Sequence, residues 1–197
     1  MKIVVLFPTI TEAKYFKRDD VEVIFSGVGL IPTAFSTYKA ILDTAPDVII
    51  MGGIAGVYKT SSLKIGDTVL VSDEHQADLG LFFADGFQHL GRRANDMSFD
   101  VLSPVHCRYA TEVPIFRTAV SNSMNCGMAE FVDTDGVDIE NMEGASFFYV
   151  CSKLGVKFFE VRTISNVVDV NHDDWDYETS IKNLADGLNK LVDYLKL

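Results

Sequence analysis

Four polar side chains carry types that can make or break a bond: the carboxylates of Glu12 and Glu143, the guanidinium of Arg162 and the amide of Asn166. A carboxylate can hold a water, take a proton or sit against a developing cation, while an amide presents a donor and an acceptor side by side. Glu143 opens the apolar run Phe147 to Cys151. A carboxylate beside such a run is costly to bury alone, so Glu143 either caps its own helix or meets ligand hydroxyls.

The elements that must hold these groups form a helix, a turn and a strand between Asp138 and Asn166. The helix is hydrophobic on every side and is expected to be buried all round. Gly155 ends it in the left-handed conformation, and Val156 to Ile164, rich in β-branched and aromatic types, is a buried strand. Arg162, Ser165 and Asn166 then fall where that strand finishes, the usual place for ligands of open α/β sheets.

Lys2 to Phe7 and Asp47 to Met51 are also continuously apolar, which marks strands covered on both faces. Pro8 stops the first, and a helix carrying Glu12 is expected after it. Val21 to Ser26 is a further strand leading into GVGLIPTAF, where Pro32 suits a first helical turn and apolar positions continue to Leu42. Gly27 and Gly29 resemble the start of a dinucleotide loop, but the third glycine and the later acidic residue are missing. GGIAG after Met51 reads as a tight turn or as a place where backbone approaches a ligand. Thr68 to Ser72 and Ile115 to Val120 are strand-like, SNSMNCG is a loop or a helix start, and Asp73 to Val113 holds loops and edge structure. Tyr177, Ile181, Leu184, Leu188, Leu191 and Leu195 mark one face of a C-terminal helix, capped by Asp174 or Asp176.

The 197 residues are 48% hydrophobic, enough for a single domain over residues 1–197 with a sizeable core. A net charge of −11 and a pI near 4.7 argue against nucleic acid or an anionic membrane as partner and for a small molecule. Cys107, Cys126 and Cys151 show neither a disulfide framework nor zinc spacing, and the N-terminus lacks a signal h-region, so a cytoplasmic protein is expected. No run reaches the length of a membrane span. His75, His89, His106 and His172 share no ligand spacing and are expected on the surface or in loops, and the acidic cluster around Asp173 lacks an EF-hand's glycine and terminal Glu. No metal and no cofactor are expected. The absence of GxxxxGK[ST], GxSxG and HExxH withdraws the usual support for triphosphate hydrolysis, serine esterase chemistry and zinc proteolysis.

ENMEGASFFYV followed by FEVRTISN resembles the signature of the nucleoside phosphorylase and nucleosidase superfamily, with its EMEG-like helix start and R-x-I-S-[DN] strand end. MGGIAGVYKTSSLKIGDTVLVSD and SGVGLIPTA are similar to further family segments, so the likeness extends from Met1 to about Asn183. Within it, ENMEGASFFYVC and SNVVDVNHDDWDYETSIKNL are most similar to the futalosine hydrolase family. The resemblance implies a three-layer αβα sandwich around a mixed, mostly parallel sheet, a homodimer, and removal of hypoxanthine from a 6-oxopurine nucleoside in menaquinone biosynthesis. It further implies that Glu143 accepts from the ribose hydroxyls with Met142 beneath the sugar. Glu12 and Arg162 would hold and activate the attacking water, Asn166 would face the purine, and Ile54, Ala55, Gly56 and Ser165 would line the substrate site.

Those residue types suit the chemistry, since N-glycosidic cleavage builds positive charge on the sugar while electrons flow into the base. Two departures from the adenosine nucleosidases stand out. Asn141 occupies the first position of their EME motif, with Glu140 displaced by one and without a defined role, and Asn166 replaces their purine-facing acid. Phe82, Tyr109 and Phe116 are the candidates for stacking on the base. A purine nucleoside phosphorylase, an adenosine nucleosidase and a silent nucleoside-binding protein remain as alternatives.

Overall fold

The computed structural model describes residues 1–93, 105–127, 131–169 and 175–197. In chain order its strands are β1 (Ile3–Phe7), β2 (Glu22–Phe25), β3 (Val48–Val57), β4 (Thr68–Gln76), β5 (Gly80–Phe83), β6 (Gly86–His89), β7 (Val105–His106), β8 (Arg117–Ser123), β9 (Ile139–Asn141) and β10 (Lys157–Val167). The helices are α1 (Leu30–Thr44), α2 (Gly144–Leu154) and α3 (Tyr177–Leu195).

β1 is buried at every position, as its unbroken apolar run requires, and lies between β2 and β3 with both pairings parallel. β3 runs parallel to β10 along nearly its whole length. Beyond Met51, where β1 ends, the free edge of β3 takes β9 antiparallel. From β9 the ladder continues through β8 to β4, both parallel, and β4 pairs antiparallel with β10. The sheet therefore curls until β10 bridges β3 and β4, and it is mixed but mostly parallel.

Alternation along β10 assigns the outer layers. Phe158 packs edge-on against Phe147 and Phe148 of α2, at ring centroid distances of 5.7 and 4.8 Å. Thr163, of opposite parity, bonds Thr68 at 2.7 Å, and a side chain at Gly187 of α3 would strike the Thr68 methyl. So α2, with α1 beside it, covers one face and α3 the other, which is the expected αβα sandwich.

Several local expectations need correction. Residues 10–15 form hydrogen-bonded turns rather than a helix, because Thr9 and Glu12 bond each other in a cap that no continuing helix uses. GGIAG is not a turn: β3 continues through it to Val57, since pairing with β10 and β9 satisfies its backbone. α2 is not buried all round. Tyr149 is exposed beneath the Lys153 ammonium, as befits a helix of an outer layer. His75, His89 and His106 lie on strands, His106 exposed at the surface as expected and the other two half-buried, and β5 and β6 form a separate hairpin. Asp176 caps α3 by accepting from Thr179 N at 3.1 Å, whereas Asp174, His172 and Asp173 lie outside the described residues.

Candidate active site

β3 and β10 end side by side, and at their carboxyl ends a cavity of about 250 Å³ opens. Glu12, Ile54, Ala55, Gly56, Met142, Glu143, Ser165 and Asn166 all line it, joined by Val28, Gly127, Glu140, Asn141, Trp175 and Tyr177. Residues separated by more than 150 positions thus converge because three strands and the head of α2 finish at one place.

Glu12 is brought there by the turn after β1. Its Oε1 accepts from Ile54 N at 3.1 Å and its Oε2 from the Thr9 hydroxyl at 2.6 Å. Burial raises its carboxyl above the usual carboxylate range, against the lowering pull of Thr9, of the Arg162 charge and of Ile54 N. A carboxylate tuned upward in this way is suited to accept a proton from water near neutral pH.

Glu143 immediately precedes α2 at its N-cap position, yet its side chain makes no cap bond. Oε1 accepts from Gly29 N at 3.1 Å, and Gly29 holds a φ of 95° that favours glycine. Oε2 accepts from Arg162 Nη1 at 3.2 Å. The capping is done by Asn141, whose Oδ1 accepts from Glu143 N at 2.7 Å and Gly144 N at 2.8 Å. The glycine loop after β2 thus donates to a carboxylate of its own chain.

Arg162 does not line the cavity. It lies beneath the floor, 1% exposed, with Nε on Glu160 at 2.6 Å, Nη1 on Ile54 O at 3.1 Å and Nη2 on Asn141 Oδ1 at 3.0 Å. It can cross β3 there only because Gly53 has no side chain, whose Cβ would stand 2.2 Å from Nη1. Direct contact between Arg162 and a water in the cavity, as the family likeness implies, is not what this geometry offers; Arg162 holds Glu143 and the Ile54 peptide in place.

Asn166 and Glu140 face each other across Gly56. A Cβ on Gly56 would stand 2.9 Å from Val168 Cγ2, 3.2 Å from Asn166 Nδ2 and 3.6 Å from Glu140 Cγ, so neighbouring side chains fill the space over Gly56, while Asn166 and Glu140 both reach the cavity lining. Asn166 Oδ1 accepts from the Ser165 hydroxyl at 2.8 Å, and Glu140 Oε2 accepts from the Tyr58 hydroxyl at 3.0 Å.

Sequence reasoning missed Trp175 and Tyr177. Phe82, Tyr109 and Phe116 are not among the lining residues: Tyr109 packs on Phe158 and Phe159, Phe82 clusters with Phe87 and Phe131, and Phe116 lies toward Gly187. Tyr177 was absorbed into the α3 periodicity, and nothing in the spacing of Trp175 singles it out.

A family model described as the phosphorylase superfamily matches residues 8–196. Futalosine hydrolase of Thermus thermophilus is 26% identical over 189 residues, covering 85% of this chain and 79% of that protein. 5'-Methylthioadenosine/S-adenosylhomocysteine nucleosidase of Arabidopsis thaliana is 25% identical over 177 residues, covering 85% and 67%. Among solved structures, futalosine hydrolase of Helicobacter pylori superposes with a TM-score of 0.73 at 21% identity, covering 98% of this chain and 97% of that one. A structure described as a methylthioadenosine/S-adenosylhomocysteine nucleosidase from Francisella philomiragia gives a TM-score of 0.79 at 19% identity, with 98% of both chains covered.

Proposed function

The chain belongs to the phosphorylase superfamily and is an enzyme of the nucleosidase type, and we propose that it hydrolyses the N-glycosidic bond of a 6-oxopurine nucleoside, futalosine being the substrate that best fits. The observation that carries the base assignment is that Asn166 and Glu140, on the strands paired to either side of Gly56, both line the cavity. A 6-oxopurine presents O6 and N7 as acceptors and N1–H as a donor on one edge. The amide can donate to the acceptors and the carboxylate can accept from N1–H. Adenine would set the N1 lone pair against Glu140.

In this reading Glu143 accepts from the ribose hydroxyls, with Met142 beneath the sugar, and its charge counters the cation that develops on the ring. Glu12 takes the proton of the attacking water as the base departs. Arg162 holds Glu143 and the Ile54 carbonyl in position from below. The departing purine takes a proton on N7 from solvent water, and the Asn166 amide oxygen accepts from the resulting N7–H.

The dimer implied by the family likeness belongs to the same proposal. Ile31, Phe35, Tyr38 and Leu42 recur along α1 at helical spacing and all are exposed, beginning three residues after Val28 of the cavity. A second copy of this chain covering that stripe would shield the site's entrance from water. Among the described residues no helix is long and apolar enough to cross a membrane. A cytoplasmic place in menaquinone synthesis is part of the proposal, resting on the futalosine reading. Incubation with futalosine, inosine and methylthioadenosine, followed by identification of the released base, tests it: release of adenine alone would overturn the 6-oxopurine assignment.

A further inference from the structure

Behind Arg162 lies a second pair of acids that the chemistry above does not use. Glu160 and Glu74 are 0% and 1% exposed. Glu160 Oε1 takes the Arg162 Nε bond at 2.6 Å, but its Oε2, wholly buried, has no hydrogen-bond donor among the described residues. Glu74 accepts from Asn141 Nδ2 on Oε1 and from the Ser123 hydroxyl on Oε2, each at 2.6 Å. The two acids meet at Gly144: a Cβ there would stand 2.1 Å from Glu74 Oε1 and 2.7 Å from Glu160 Oε2. The oxygen that lacks a donor and the neighbouring carboxyl therefore share one small space under the first turn of α2.

We propose that Glu74 and Glu160 hold one proton between them, Glu74 donating to Glu160 Oε2, and that this pair positions Arg162 and Asn141 beneath the candidate site. The proton supplies the donor that Glu160 Oε2 lacks. Glu160 stays anionic and aims the guanidinium through Nε, while Glu74 stays neutral and anchors the Asn141 amide whose oxygen caps α2 and receives Arg162 Nη2. Two carboxylates at this separation in a dry interior cannot both be charged. Burial first, and Glu160 second, hold the Glu74 carboxyl well above its usual range.

The other ionisable groups around the pair do not substitute for that proton. Among the described residues Arg162 on β10 is the cation set against the pair, already shared with Glu143, and its charge also acts on Glu12. The thiols of Cys107 and Cys151 are pushed up by burial, Cys107 to about 11, and the Tyr58 hydroxyl is pushed up by burial and by Glu140. All three stay neutral. Ser121 and Ser123 on β8 and Asn141 on β9 complete the polar surroundings.

The test begins with Glu74→Gln, which copies the protonated acid, and Glu160→Gln. Infrared difference spectra at neutral pH should lose one protonated-carboxyl band in Glu74→Gln that persists in Glu12→Gln. Because a raised acid stabilises the fold below its unfolded pKa and loses that contribution as pH rises through its folded pKa, wild-type melting temperature should carry a fall that begins above 4.5, the ordinary Glu value, and ends at the raised folded value. Glu74→Gln should not show that fall. In base-release assays Glu160→Gln should lower kcat about tenfold or more with KM changed far less, as expected when a positioned group shifts. Retention of the carboxyl band in Glu74→Gln, or the same pH dependence of melting in Glu74→Gln as in the wild type, overturns the shared proton. A Glu160→Gln enzyme of wild-type kcat overturns the positioning role. The spectra and melts need no substrate, so they decide the proton's place even if the futalosine reading fails or Glu160→Gln does not fold.

Discussion

Asn141 Oδ1 lies 2.7 Å from the backbone nitrogen of Glu143. That bond, with its neighbour to Gly144 N, satisfies the head of α2 and releases the Glu143 carboxylate to face the cavity. Stability and chemistry are thereby divided between residues two positions apart. A cap contributes about 1 kcal/mol, and buried donors left unpaired cost about 1–3 kcal/mol more.

Glu143→Gln should therefore reduce kcat by about a hundredfold or more while the protein stays folded, because charge matters most against a developing cation. Arg162 keeps Glu160 as its counter-ion in that variant. Asn141→Ala should show the opposite balance, with a clear loss of melting temperature. Thermal melts and steady-state kinetics on the two variants separate the roles. A strongly destabilised Glu143→Gln enzyme with near-normal kcat would return the capping role to Glu143.

Burial raises Glu12, so its base form appears at higher pH than for an ordinary carboxylate. Activity should rise with pH along an acid limb set above 4.5, the ordinary Glu value. The Thr9 hydroxyl bond works against that shift, and Thr9→Val should push the limb further up while leaving the alkaline side alone. The kcat/KM profile of both proteins checks this, and an unmoved limb would assign it to another group.

Phosphate should not accelerate base release. The loop after β1, where a phosphorylase would gather cations, presents the Glu12 carboxylate instead, and a buried carboxylate repels phosphate. Product analysis with and without phosphate decides, since a sugar 1-phosphate would show that Glu12 does not activate water.

Phe35→Glu should shift the protein toward monomer in sedimentation if the exposed α1 stripe is a subunit interface, with the isolated chain remaining folded. Phe35 is 67% exposed, so the substitution removes no core packing. An unchanged sedimentation coefficient would place any subunit contact elsewhere.

Much of this arrangement could be read from residue types. β1 and the start of β3 are buried on both faces, which an unbroken apolar run announces, β10 is announced by its β-branched and aromatic residues, and Gly155 with φ 67° ends α2 where expected. The glycines of β3 were less legible because glycine usually signals a turn. Here Gly53 and Gly56 stay in a strand because Arg162 on the one hand and Val168 and Asn166 on the other take the space a Cβ would need, a demand set by side chains more than 100 residues away. Glu74 was hidden for a related reason. Its strand sits within a weakly periodic stretch, and only β8 and α2 closing over it make a charged residue interior. Local pattern reports burial on a face; it does not report which distant groups meet there.

The final expectation concerns the base. Asn166 lies in the cavity with Glu140 across Gly56, and its amide offers a donor beside an acceptor. Hypoxanthine places O6 beside N7 and gains a proton on N7 as it leaves, so an amide serves both atoms. Adenine places an amino donor beside N7, which suits a carboxyl group: one oxygen accepts and the other, when protonated, donates. A mismatched edge leaves buried groups unpaired at about 1–3 kcal/mol each, and sites built on such bonds discriminate strongly. The wild-type protein should therefore prefer hypoxanthine nucleosides, and Asn166→Asp should move the ratio of kcat/KM values toward adenine even if both fall. Glu140→Gln should move it the same way by offering an amide N–H to the N1 lone pair of adenine. Measuring kcat/KM for a matched inosine and adenosine analogue pair in the three proteins decides. A ratio unchanged by Asn166→Asp would reduce Asn166 to the residue that ends β10.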